Sequence, residues 1–159
     1  MYTGINMSHI FVLDQDKARD FYVDVLGLEV TNDLDLGFMR WLTVGVSGQK
    51  GRDVLLEKPG PPGMDTKSAD MVRELVTKGA TGFTLGLTTD NIQKTYETLK
   101  ARGVEFTQEP TTQPYGTDIG IRDPFGNNIR IVQLAETMSK PDLQPPAPRS
   151  SAANEKSRR

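Results

Sequence analysis

The chain has 159 residues, enough for one domain or for two small modules sharing a core. Its 19 Lys+Arg against 21 Asp+Glu leave a formal net charge of −2, so no global basic field draws it to nucleic acid or to an anionic membrane. Cysteine is absent, which excludes disulfides, thiolate metal sites and a cysteine nucleophile together. No apolar run approaches the roughly 20 residues that span a bilayer, and Met1-Tyr2-Thr3-Gly4 is not a charged n-region leading into an apolar segment. The default expectation is a soluble cytoplasmic protein with neither a membrane nor a nucleic-acid partner.

The first element reads as a strand. Ile10 and Val12 make its more uniformly apolar face and should pack on a helix, leaving Met7, His9, Phe11 and Leu13 on the opposite face. DQDKARDFYVDVLG follows, with Ala18, Phe21, Tyr22, Val25 and Leu26 on one helical stripe. Asp14 suits its N-cap, and Gly27 the left-handed residue after its last turn. Residues 28–34, 38–46 and 53–57 are β-rich runs separated by Asn, Asp, Gly and Lys. KPGPPGMD is a connector, and Met71, Val72, Leu75 and Val76 in SADMVRELVTKG predict a short linking helix. GATGFTLG opens a strand carrying Phe83, Leu85 and Leu87, so its glycines are not a phosphate cradle. In DNIQKTYETLKARG, a helix predicted from Asp90 to Gly103 places Ile92, Tyr96 and Leu99 on one side. Strands are predicted over 104–108, 117–122 and 128–134, the last two joined by the turn DPFGN. From Glu136 onward the chain is rich in Pro, Ser, Ala and charge, the composition of a disordered tail over 136–159.

The chain repeats itself. GLEVT begins at Gly27 and GVEFT at Gly103, an offset of 103 − 27 = 76, and Asp14 and Asp90 each lie 13 residues before those glycines. Each copy reads β-α-β-β-β, which gives a domain over 1–135: module 1 at 5–58, a linker with a short helix at 59–79, and module 2 at 80–135. One helix and four strands cannot bury a sheet face alone, so the two copies should pair. The fold class is therefore α+β, with two tandem βαβββ modules, a mixed cup-shaped sheet and helices on its outer face.

With FYVDVLGLEV in the first module and RDPFGNNIRIVQ in the second, the sequence resembles the vicinal oxygen chelate superfamily over residues 5–135. That group includes glyoxalase I, extradiol dioxygenases, fosfomycin-resistance proteins and bleomycin-binding proteins. The resemblance implies where a divalent ion would be held in the group's metal enzymes, by His, Glu or Gln side chains. One position lies seven residues before the capping Asp, at Met7 here and at Phe83 in the second copy. Another lies seven after the Asp of the Asp-Pro-x-Gly turn, at Arg130, and the last falls around 54–57, where Glu57 is the one carboxylate. A thioether, a phenyl ring and a guanidinium cannot build a hard-cation site. His9, the single histidine, together with Glu57 would supply two protein ligands at most. No metal and no other cofactor is expected.

The same positions define a cup lined by Met7, His9, Phe11, Phe83, Leu85 and Leu87, with Arg130 sharing a strand face with Asn128 and Val132. This lining suits a flat or hydrophobic small molecule with an anionic or acceptor-bearing end, with Arg130 as anchor and His9 as a polar or acid–base group. Each residue also has a plainer role open to it. His9 could be a core histidine, and Arg130 could pair with Glu57 or another carboxylate. Trp41 in GFMRWLTV could stack on a ligand or sit in the core or a dimer interface. Tyr115 in QPYGTD could belong to a mobile loop or simply to a turn, and Glu57 could be a solvated strand end. Gly-x-Ser-x-Gly, Walker and His-Glu-x-x-His patterns are absent from the sequence. Three readings stand: a homodimeric, metal-free small-molecule-binding protein; a glyoxalase-like lyase or isomerase with an atypical or absent metal site and His9 as catalytic candidate; and an interaction module whose cup is filled by its own side chains.

Overall fold

The computed structural model describes residues 1–136, so the tail expected over 136–159 lies, past its first residue, outside the described residues. The chain runs β1 (Met7–Phe11), α1 (Gln15–Arg19), a π-helical continuation (Asp20–Val25), β2 (Glu29–Asp35), β3 (Arg40–Gly45), β4 (Asp53–Glu57), α2 (Thr66–Thr77), β5 (Phe83–Thr88), α3 (Ile92–Ala101), β6 (Glu105–Gln113), β7 (Gly116–Arg122) and β8 (Asn128–Leu134). The strands form two four-stranded sheets, ordered β1-β4-β3-β2 and β5-β8-β7-β6. In each, the first pair is parallel and the others are antiparallel, which is the predicted duplication of a βαβββ module.

Alternation along the strands decides which face meets the helices. Ile10, Val12, Leu42, Val44, Val54 and Leu56 point to one side of the first sheet and close on Ala18, Phe21 and Tyr22. Ile119, Ile121, Ile129 and Ile131 do the same in the second, with Ile92 and Leu99. All belong to one continuous core, and the alternate strand residues point to the opposite face of each sheet. In α2 the buried residues are Ala69 and Val76, whereas Met71 and Leu75 of the predicted stripe are exposed.

The DPFGN turn does more than reverse the chain. The Asp123 carboxylate accepts the backbone N–H groups of Phe125, Gly126 and Asn127, and also the Tyr22 hydroxyl at 2.8 Å. Asn127 in turn donates its side-chain amide to the Phe11 carbonyl at 2.8 Å. The Asp123 carboxylate and the Asn127 side-chain NH2 of module 2 are thus partnered by a helix and a strand of module 1, tying the halves together.

The repeat is not perfect, and its errors cancel. Asp14 caps α1 as expected, its carboxylate accepting the Lys17 N–H. The second cap is Asn91 rather than Asp90, its side chain accepting the Lys94 N–H. The offset between caps is therefore 91 − 14 = 77, although the flanking glycines keep 76. The extra residue before α3 is a bulge in β5, where Phe83 pairs with Asn128 but Leu85 with Ile129. The compensating extra residue in module 1 is taken up by the wider π-helical turn at Asp20–Val25, in place of the uninterrupted α-helix predicted there. β6 also runs further than its predicted end at 108, reaching Gln113, because the edge position of this strand tolerates Pro110.

Candidate functional site

The candidate residues on the alternate strand positions fall into two clusters, one on each sheet. On the first sheet, Met7 stands opposite Asp53, His9 opposite Leu55 and Phe11 opposite Glu57 across the parallel β1/β4 pair. His9 Nδ1 lies 2.7 Å from Glu57 Oε2, and the His9 and Phe11 rings meet edge to face at 4.5 Å. Glu57 is thus not the solvated strand end that its neighbourhood of Pro and Gly suggests. Its carboxylate orients the imidazole and leaves Nε2 as the ring nitrogen directed elsewhere. Trp41 is half-buried on β3 opposite Leu34, and its alternation with Leu42 and Val44 puts it on the face away from those core residues.

On the second sheet the centre is Arg130. Its Cζ lies 5.1 Å from the centre of the Phe83 ring, which is 74% exposed. Its Nη1 donates to Gln108 Oε1 at 2.7 Å, and its Nη2 stands 3.5 Å from Asp118 Oδ2. Asp118 is only 3% exposed and also accepts from Gln108 Nε2 at 2.7 Å and from the Tyr115 hydroxyl at 2.9 Å. That hydrogen bond to a carboxylate holds the Tyr115 phenol above its ordinary range, so the hydroxyl stays protonated. The arginine can lie down across the sheet because residue 120 is glycine. A Cβ there would come 2.8 Å from Arg130 Nη1 and 2.5 Å from Thr107 Oγ1.

Leu85 does not share a face with Phe83, against expectation. The β5 bulge reverses the alternation between them: Leu85 pairs with Ile129 and Leu87 with Ile131, and both leucines pack on the core. Among the described residues no hydrogen bond or ion pair joins the His9 cluster to the Arg130 cluster. Asp118 and Gln108 escaped the sequence reading, although the alternation of Asp118 with Ile119 and Ile121 in GTDIGIR is enough to put that carboxylate on the Arg130 face.

The profile of the Glyoxalase/Bleomycin resistance protein/Dioxygenase superfamily matches residues 4–131. The chain belongs to this superfamily. Among curated relatives, YurT of Bacillus subtilis strain 168, an uncharacterized protein, is 36% identical over 130 residues, 81% of this chain and 98% of YurT. The crystal structure of UcmS2 is similar at 39% identity and a TM-score of 0.77, covering 83% of this chain and 98% of that one. The structure of TnmS3, an antibiotic binding protein from Streptomyces sp. CB03234, is similar at 27% identity and a TM-score of 0.67, covering 84% and 98%.

The divalent ion used by some superfamily enzymes does not fit the donor set at the positions the resemblance points to among the described residues. Among the described residues no group of three His, Cys, Asp or Glu side chains is placed to hold a metal ion. At the positions the resemblance points to, a thioether and a phenyl ring offer no hard donor, and the third is a guanidinium already bonded to Gln108. The remaining pair, His9 and Glu57, is bonded to itself.

Proposed function

We propose that the protein binds a small, flat, largely apolar molecule on the sheet face that carries Phe83 and Arg130, without a resident metal, as a homodimer whose second copy helps enclose the ligand. The observation that carries this reading is the Phe83 ring, held against the Arg130 guanidinium and otherwise left to water. A fixed aromatic face beside a planar cation is a stacking platform, and large exposed apolar side chains on one face mark a surface meant to be covered. Leu34 and Phe38 of the first module and Met7 of β1 are exposed as well, which supports burial against a second copy. The similarity to an antibiotic binding protein agrees with a sequestering role rather than with one chemistry.

The test is isothermal titration of the full chain against a panel of neutral and anionic aromatic compounds, with light scattering and elemental analysis of protein purified without chelator. The expected result is saturable one-to-one binding per chain, a dimer mass and no stoichiometric metal. Stoichiometric Zn, Ni, Mn or Fe would sink the metal-free part, and silence across the panel would sink the binding part.

One observation favours a second reading, a metal-free lyase or isomerase. The His9–Glu57 pair has the geometry of a carboxylate-oriented base, with Nε2 as its proton acceptor. Under that reading His9→Ala would abolish turnover of a bound compound while leaving its affinity intact.

A further inference from the structure

Resting on the binding reading, we infer that this site selects an uncharged ligand: an aromatic molecule carrying a carbonyl or similar hydrogen-bond acceptor, with the carboxylate analogue disfavoured. A lone arginine in a cup suggests an anion anchor, but the surroundings of Arg130 argue otherwise. Asp118 stands against it with little solvent access, and Gln108 bridges the two by accepting from Arg130 and donating to Asp118. The positive charge is therefore compensated before any ligand arrives. Gly120 lets the guanidinium lie along the sheet instead of standing out of it.

The first sheet repeats the pattern. Its histidine, His9, is held by Glu57, and Asp53 stands opposite Met7 as a further carboxylate. A ligand carboxylate would have to displace Asp118 from Arg130, leaving a buried anion without its counter-charge, or lie beside the Glu57 and Asp53 carboxylates. A ligand carbonyl faces neither cost. It can accept one of the guanidinium N–H groups not committed to Gln108 while the ring stacks on Phe83.

The experiment compares three probes sharing one ring system on the full wild-type chain by isothermal titration: naphthalene, 2-acetylnaphthalene and 2-naphthoate. The ketone is expected to bind tighter than the carboxylate by about tenfold or more, because like-charge placement is penalised. Asp118→Asn keeps the shape and removes the compensating charge, so it should raise 2-naphthoate affinity and close that gap. Equal or tighter wild-type binding of 2-naphthoate would overturn the inference, as would an unchanged ratio in a folded Asp118→Asn protein. If that variant does not fold, salt dependence decides. A 2-naphthoate affinity that falls steeply with added salt would reveal an uncompensated Arg130 and overturn the inference, whereas a weak, salt-insensitive one supports it. Silence of all three probes would instead count against the binding reading itself, so the two failures are distinguishable.

Discussion

Tyr22 and Asp123 show how much a single buried pair can carry when it spans the two halves of a molecule. The Tyr22 hydroxyl donates to Asp123 at 2.8 Å, and burial, reinforced by the Asp123 charge, pushes the phenol well above its ordinary range. A group whose folded pKa is raised contributes fully below its unfolded value, near 10, and loses that contribution as pH rises through the folded value. Stability should therefore decline on the alkaline side, and Tyr22→Phe should flatten that decline while lowering stability at neutral pH by about 1–3 kcal/mol. Urea titrations at pH values between about 8 and 11 check both. Gly120 is the second residue on which much depends. Gly120→Ala has to expel Arg130 or shift Thr107, so a loss of about 1–3 kcal/mol and a weakened 2-acetylnaphthalene affinity are expected together.

Helix caps are where the repeat can be tested at the level of elements. Asn91, not Asp90, accepts the Lys94 N–H. Asn91→Ala should cost about 1 kcal/mol in thermal or denaturant melts, whereas Asp90→Ala should stay within about 0.5 kcal/mol. The reverse order would mean that the β5 bulge is misplaced. Asp14 and Asp65 cap α1 and α2 with carboxylates held below their ordinary range, Asp14 chiefly by the Lys17 backbone N–H and Asp65 chiefly by the Ser68 side chain. For a depressed carboxylate the contribution is present above the unfolded value, near 4, and lost as pH falls through the folded one. Circular dichroism should therefore show helix loss in acid that becomes less steep in Asp14→Asn and Asp65→Asn, since an amide caps without titrating.

Taken whole, the molecule has one core and a joint that neither module can complete alone. Asp123 and Asn127 satisfy Tyr22 and the Phe11 carbonyl across the halves. Unfolding should therefore be a single transition, with calorimetric and van't Hoff enthalpies equal, and a fragment covering module 2 alone should not give a cooperative melt. Two resolved transitions in the full chain would contradict that coupling.

The strand alternation and the 76-residue echo were sufficient, from sequence, for the two βαβββ modules, for the core-facing side of β1 carrying Ile10 and Val12, and for the shared side of Phe83 and Arg130. Those features are local: they follow from side-chain periods of 2 and 3.6 residues, which any window of the chain displays. Which charges meet which was decided only by the tertiary structure. His9 and Glu57 are 48 positions apart and meet through parallel pairing of β1 with β4, and Arg130 finds Asp118 because β7 runs back along β8. Leu85 turned to the core for the same kind of reason. One inserted residue in β5 reverses the faces beyond it, and the β8 register, rather than the letters of GATGFTLG, fixes where that residue goes.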